Sequence, residues 1–337
     1  MSYINQTPMI SSMIENIEED LMQSISLFDP DQLIDIPQMI NFHMGWTNGQ
    51  SVSGKRVRPL LTLLCYAGVN SDWERALPAA SAVEWIHNFS LVHDDIEDKS
   101  DTRRGRPTLW KRWGLAMAIN AGDTVYAIGH LAIYRLIENG IPHAKVLEAR
   151  HILDSACLQL TQGQHLDLAF ETQTDISTDA YLQMIEWKTS ALIAAATAIG
   201  ACIAGATPAV VESYRTFGYH LGLAFQILDD ILGIWGDADL TGKPAGADLY
   251  ARKKTLPIIY GLIQSPKFAG LFSRDPEHVP LDELITALEK IDARKNAHTT
   301  AQQHSEKALA ALSKANPRSP ASEELKQLAE RLLQRQG

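Results

Sequence analysis

A chain of 337 residues with 45% hydrophobic and 21% charged side chains has the composition of an ordinary soluble globular protein and can bury a core without staples. Its 40 Asp and Glu outweigh 30 Lys and Arg for a formal charge of -10, which disfavours a general nucleic-acid footprint, so no nucleic-acid partner is expected. The cysteines, Cys65, Cys157 and Cys202, are odd in number and widely spaced, supporting neither a disulfide framework nor a zinc knuckle and fitting a reducing compartment.

The first basic residue is Lys55, so the N-terminus has neither the basic region of a secretory signal nor the Arg-rich character of a transit peptide, and a cytoplasmic location is expected. Apolar residues recurring at spacings of three and four predict helices over 9–27, 60–69, 77–91, 115–136, 145–168, 178–203, 209–231 and 281–312. Breakers fall between them at Pro59, Pro78, Gly105 to Pro107, Gly140 to Pro142, Thr207-Pro208 and Gly236 to Gly246. The most apolar stretch, Ala191 to Ala206, is shorter than the ~20 residues of a bilayer span, so it reads as a buried helix and no membrane span is expected. No linker divides the chain, and the tail from Pro317 is polar and helix-favouring. The reading is all-α: one domain over 1–337, its helices packed around a shared core.

The basic residues cluster in chain order at Lys55-Arg56-Val57-Arg58, Arg103-Arg104-Gly105-Arg106, Lys111-Arg112 and Arg252-Lys253-Lys254. The first two are expected at helix ends, where flexible backbone lets side chains converge and Arg can fork onto phosphate oxygens. Each alone reads more readily as a solvated basic patch. Together with Lys188, Lys243 and Lys253 they imply a doubly phosphorylated ligand, and the absence of both Gly-rich nucleotide-binding patterns disfavours a nucleotide.

Between these clusters lies Asp94-Asp95-Ile96-Glu97-Asp98, in which Asp94 and Asp98 share one helix face about a turn apart. A solvated acidic helix end would look the same, except that Val83, Trp85, Ile86, Phe89, Leu91 and Val92 make the preceding turns apolar. The segment from Ser90 to Ile96 is echoed by Phe225 to Ile231, where Gln226, Asp229 and Asp230 follow the apolar run Leu221 to Leu228. Such hard oxygen donors select Mg²⁺ or Mn²⁺, and two such clusters could clamp metal ions across a helical core. His87 lies about two turns before Asp94 on nearly the same face; His93, with no HExxH partner, reads as structural support.

The chain resembles the trans-isoprenyl diphosphate synthase (polyprenyl synthetase) family from about Gly54 to Pro257. The similarity rests on Gly-Lys-Arg-Val-Arg-Pro at 54–59, Ile-His-Asn-Phe-Ser-Leu-Val-His-Asp-Asp-Ile-Glu-Asp at 86–98, Arg-Arg-Gly-Arg-Pro-Thr at 103–108, Lys-Thr at 188–189, Phe-Gln-Ile-Leu-Asp-Asp-Ile-Leu at 225–232, Gly-Lys-Pro at 242–244 and Lys-Lys-Thr-Leu-Pro at 253–257. It implies an all-α bundle with a deep central cavity, a homodimer, and condensation of isopentenyl diphosphate with an allylic diphosphate. In the family's pattern Asp94, Asp98 and Asp229 would bind Mg²⁺, three ions in all with Mn²⁺ as a possible substitute, and Asp95 and Asp230 would support them. Lys55, Arg58, His87 and Arg104 would hold isopentenyl diphosphate; Arg103, Lys188, Thr189, Gln226, Lys243 and Lys253 would hold the allylic diphosphate.

One departure from the pattern is Gly233, which stands where the second motif would carry its third carboxylate; Asp237 is one turn further on. A terpene cyclase would have little use for the second diphosphate site, and a non-catalytic regulatory subunit would be free to lose metal ligands, of which Gly233 is the one hint. Product length is expected to depend on the turns before Asp94. Small Ser90 leaves the first step open, and Phe89 can close the floor if a neighbouring helix turns its side toward the cavity. An aromatic at the fifth position with a small residue at the fourth resembles short-chain geranylgeranyl-type synthases, so a C20 product is expected, with farnesyl (C15) as the alternative; Phe89 as ordinary core is the bland one.

Overall fold

The computed structural model describes residues 7–25, 35–46, 54–236, 245–275 and 278–333. Its helices, in chain order, are α1 (Pro8–Ile25), α2 (Asp35–Met44), α3 (Val57–Ala67), α4 (Leu77–Glu97), α5 (Leu109–Trp113), α6 (Leu115–Ala132), α7 (His143–Thr172), α8 (Thr178–Ile185), α9 (Ala191–Ile203), α10 (Pro208–Trp235), α11 (Ala247–Tyr250), α12 (Leu256–Gln264), α13 (Pro266–Phe272), α14 (Leu281–Glu289), α15 (Ala293–Ala315) and α16 (Ala321–Leu333). Among the described residues the strands are two dipeptides, β1 (Thr102–Arg103) and β2 (Arg106–Pro107), paired antiparallel. The all-α expectation holds, and no helix among the described residues is long and apolar enough to cross a membrane.

Local chemistry explains the boundaries. Pro78 and Pro257 sit in the first turns of α4 and α12, where a missing N–H costs nothing. Ser177 and Ser265 cap α8 and α13 by accepting from the amides of Ala180 and Phe268, each at 3.1 Å.

Several expected elements need correction. The predicted helix over 178–203 is interrupted by a π-helical turn at Glu186–Ser190, and that over 281–312 breaks before α15 at Asp292, whose φ is 54°. The tail is not merely polar: α16 buries Leu325, Leu328, Ala329 and Leu332 at three and four spacing. The Arg103-Arg104-Gly105 cluster lies not at a helix end but in the β1–β2 hairpin, with Thr102 opposite Pro107 and Arg103 opposite Arg106.

The chain groups into two compact units whose boundaries fall inside helices. The first comprises 1–157, 195–214 and 315–325; the second comprises 158–194, 215–314 and 326–337. Within the first, α4 is buried around almost its whole circumference, from Pro78 through Phe89, so its C-terminal carboxylates follow more than three turns of core helix. Within the second, Tyr181, Ile185, Ile227, Leu256 and Ile259 form one apolar cluster. Ile234, Leu249, Ile258, Phe268 and Leu288 form another.

Candidate active site

Helix α4 presents the first carboxylate motif and closes on Asp98, whose amide donates to the Asp94 carbonyl at 2.8 Å. The hairpin that follows turns through Arg104 at φ 52° and Gly105 at φ 73°, the pair of left-handed residues that a two-residue I′ turn demands. This tight reversal sends Arg103 back to the helix end. Its Nε donates to Asp95 Oδ1 at 2.8 Å and its Nη2 to Asp94 Oδ2 at 3.0 Å. Burial pushes the Asp95 carboxyl up to about 6, against the opposing pull of Arg103.

These residues suit a divalent cation. The donors are hard oxygens on adjacent positions, and Asp94 and Asp95 already share one positive charge. Among the described residues no three His, Cys, Asp or Glu side chains converge as a metal cage. Mg²⁺ ordinarily takes one or two carboxylates and fills its remaining positions from substrate phosphates and water.

A cationic cluster occupies the same unit. Arg56 holds the left-handed conformation at φ 47° just before α3, which separates the exposed Lys55 from the half-buried Arg58. Arg58 Nη1 donates to His87 Nε2 at 3.2 Å; guanidinium can only donate, so the ring carries its proton on Nδ1. Burial, together with Arg58, Arg104 and Arg103, holds His87 well below the usual histidine range, so it is neutral. The buried Nε of Arg58 has no hydrogen-bond partner among the described residues. The Arg104 guanidinium lies over Gly54, where a Cβ would come within 2.7 Å of it. Three of the four residues expected to bind isopentenyl diphosphate thus carry or adjoin concentrated positive charge, an arrangement made for an anion.

Behind this cluster runs a buried polar chain that sequence reasoning missed. Arg56 donates to Glu18 (Nε to Oε1, 2.6 Å) and to Glu84 (Nη1 to Oε1, 2.7 Å), while Trp46 donates to Glu18 at 2.8 Å. Asn88 Nδ2 donates to Glu84 Oε1 at 3.0 Å, and its Oδ1 lies 3.2 Å from His43 Nε2. His43 also lines a small pocket with Asp95, Arg103, Arg104 and Arg106. Burial and then those arginines hold His43 down to about 3.

That shift has a pH consequence. Below pH ~6.5 an unfolded chain protonates this histidine while the folded chain does not, so stability is complete above ~6.5 and declines as the pH falls toward 3. Denaturant unfolding at pH 7.5 and 5.5 should show the decline, and His43→Gln should flatten it by up to about 1.4 kcal/mol per pH unit. An unaltered pH slope in the variant would contradict a neutral His43.

The second motif is built in the other unit. Asp229 is exposed, whereas Asp230 is buried and satisfied by protein donors: the Tyr181 hydroxyl, Gln226 Nε2 at 3.1 Å and the amide of Leu256, first residue of α12, at 3.2 Å. Burial pushes its carboxyl up to about 7 despite these bonds. Thr189 donates to Gln226 Oε1 at 2.8 Å, so Thr189, Gln226 and Asp230 form one chain. Lys188 sits on the π-helical turn and pairs with Asp167 at 2.5 Å. The turn needs close neighbours: a Cβ on Gly163 would lie 2.7 Å from the Lys188 Cα, and one on Gly222 would lie 2.7 Å from the Ser190 Cα.

The structure therefore gathers Arg58, His87, Asp94, Asp95, Asp98, Arg103 and Arg104 in one unit, and Lys188, Thr189, Gln226, Asp229 and Asp230 in the other. Lys253 is exposed in the second unit; Lys243 and Asp237 lie outside the described residues. Phe89 is buried with its ring centroid 5.0 Å from those of His93 and Tyr126. Ser90 is half-buried and donates to the His87 carbonyl at 2.7 Å.

Comparison with known proteins agrees with this chemistry. The polyprenyl synthetase family model matches residues 46–280, wider than the 54–257 similarity read from motifs. A (2E,6E)-farnesyl diphosphate synthase of Mycobacterium tuberculosis is 41% identical over 258 residues, 75% of this chain and 69% of its own. The geranylgeranyl pyrophosphate synthetase structure from Pyrococcus horikoshii superposes with a TM-score of 0.86 at 32% identity, covering 96% of each chain. A geranylgeranyl pyrophosphate synthase from Corynebacterium glutamicum, complexed with isoprenyl diphosphate and magnesium, gives a TM-score of 0.82 at 26% identity over 96% of this chain and 98% of that one. With aspartate pairs ending two apolar helices, arginines massed beside the first, and a family match over more than half its length, the chain belongs to the polyprenyl synthetase family of prenyltransferases.

Proposed function

We propose that this prenyltransferase is a Mg²⁺-dependent, cytoplasmic short-chain synthase that condenses isopentenyl diphosphate with allylic diphosphates to give geranylgeranyl diphosphate. A single domain over 1–337 would carry the activity, with its motifs in 54–257. The observation that carries the reading is the meeting, in one unit, of carboxylates arranged about a cation (Asp94, Asp95) with a separate set of cations around a neutral histidine (Arg58, Arg104, His87). One set suits a diphosphate held through metal, the other a diphosphate held by cations alone. Lys55 completes the isopentenyl diphosphate site; Arg103, Lys188, Thr189, Gln226, Lys243 and Lys253 hold the allylic diphosphate.

Asp94, Asp95, Asp98 and Asp229 would hold the metal, taken as three Mg²⁺ ions with Mn²⁺ as substitute. Asp230 supports them by orienting Gln226 and, through it, Thr189. When bound, the ions neutralise charge on the departing diphosphate. The protein's own contribution is positional and electrostatic. Arg103, already forked toward Asp94 and Asp95, can extend a guanidinium edge to the leaving group, and in the other unit Lys188 is oriented by its pair with Asp167 on α7. The apolar turns preceding Asp94 keep water from the allylic cation while the isopentenyl alkene attacks, after which the new cation loses a proton to the released diphosphate and the double bond is restored.

Lys55→Ala, Arg58→Ala and Arg104→Ala are expected to raise the KM for isopentenyl diphosphate more than that for the allylic primer, and Arg103→Ala the reverse. Steady-state kinetics with each substrate varied measures the split; equal effects on both KM values would contradict the division. For product length, the contact of Phe89 with Tyr126 on α6 supports a floor at that level. Phe89→Ala should lengthen the product, and an unchanged product would return Phe89 to ordinary core. The C15 reading stays in view because the M. tuberculosis relative is a farnesyl diphosphate synthase. A homodimer is supported by large exposed apolar side chains on α6 and α7, including Leu115, Leu131 and Leu147.

A further inference from the structure

Position 233 is where the second motif lacks its third carboxylate, and the structure places another one there. In α10, residue 233 follows Asp229 by one turn and shares its face. A Cβ built on Gly233 would overlap Oδ2 of Asp248 and lie 2.5 Å from its Cγ. The Asp248 carboxylate, carried by the short α11, therefore occupies the space in which a side chain at 233 would begin.

Three features fix it there. The Gly246 amide donates to the Ile234 carbonyl at 3.0 Å, tying the start of α11 to the end of α10 beside Gly233. Gly246 is left-handed at φ 75°, and a Cβ on it would meet Leu281 at 2.5 Å, so the approach demands glycine. Leu249, adjacent to Asp248, is fully buried with Ile234 and Phe268, anchoring α11. Asp248 itself is half-buried, and its charge helps to raise the carboxyl of Asp230 and the hydroxyl of Tyr181, which places it among the motif's groups.

We propose that Asp248 supplies the carboxylate that Gly233 withholds, acting beside Asp229 in holding the metal ions of the allylic diphosphate. The inference rests on the metal-binding reading of the second motif. Gly233 is then no sign of a lost site: it is the vacancy that lets a carboxylate from a different element reach the same face.

The test is binding of Mn²⁺ by the full-length protein in the presence of inorganic diphosphate, followed by the electron paramagnetic resonance signal of free Mn²⁺, with no turnover involved. Asp248→Asn, of equal size, should weaken Mn²⁺ binding about tenfold or more, the range seen when groups supporting a metal are removed. Gly233→Asp alone should also weaken it, since two carboxylates would contend for one space, whereas Gly233→Asp combined with Asp248→Gly should restore binding to within about threefold of the parent. Should Asp248→Asn fail to fold by circular dichroism, the double variant decides. Unchanged Mn²⁺ binding in Asp248→Asn, or a folded double variant that remains as weak as either single one, would overturn the inference. Asp229→Ala separates the two levels: weak binding there with normal binding in Asp248→Asn rejects Asp248 alone, and normal binding in both rejects the second motif as a metal site.

Discussion

Asp94→Ala and Asp229→Ala should each lower kcat/KM by at least about a hundredfold, several kcal/mol of transition-state stabilisation, while leaving helix content intact. Asp94 is half-buried at the end of a helix whose preceding turns make the core contacts, and Asp229 is exposed, so neither removal opens a cavity. The consequences differ locally. Without Asp94, Arg103 keeps only its 2.8 Å bond to Asp95, so the guanidinium loses one arm of its fork, and the proposed metal site would lose a donor. Without Asp229, the neighbouring Asp230 should replace it poorly, because it is buried and both its oxygens already accept bonds, from Tyr181, Gln226 and the Leu256 amide. Steady-state rates paired with circular dichroism provide the check; near-normal turnover in either folded variant would contradict the need for both motifs.

Glu84→Ala should produce the largest loss of stability. Glu84 is 3% exposed, accepts from Arg56 at 2.7 Å, and its charge opposes the burial of Arg56, Arg58 and Arg104. Removing it strands buried cations, and breaking a buried pair in this way typically costs about 3–5 kcal/mol. Glu84→Gln keeps the volume and a contact to Asn88, so it should cost less and instead report on position. With Arg56 and Arg58 less firmly held, the KM for isopentenyl diphosphate should rise more than that for the allylic primer. Urea unfolding and paired KM measurements check both points. A loss under about 1 kcal/mol for Glu84→Ala would contradict a stabilising role for the buried pair.

How much of this was legible in the sequence varies with the distance over which the signal is written. Periodicity and breakers are local, and they gave α7 and α10 to within four residues at each end and α4 from its start but six residues short of its C-terminus. The carboxylate and arginine motifs are contiguous, so their chemistry could be read without the fold. What stayed hidden depends on approach between distant segments. Glu18, His43, Arg56, Glu84 and Asn88 come from α1, α2, the cap of α3 and α4, and no local pattern links them. The hairpin at Arg103 was misplaced because Arg104 has an unusual conformation for a side chain with a Cβ, and only Gly105 signalled a turn. The π-helical turn under Lys188 is likewise invisible in an unbroken apolar run; its imprint is a pair of glycines, Gly163 and Gly222, far away in sequence. Asp248 shows the same principle, since its relation to Gly233 emerges only when α11 folds back on α10.

The central claim, a C20-forming prenyl synthase, is tested most directly by incubating the purified full-length protein with Mg²⁺, isopentenyl diphosphate and each allylic primer in turn, then sizing the products. The expected result is Mg²⁺-dependent elongation that accumulates at C20. Accumulation at C15, chains running well beyond C20, or no elongation with any primer would contradict it, the last result favouring a non-catalytic partner subunit.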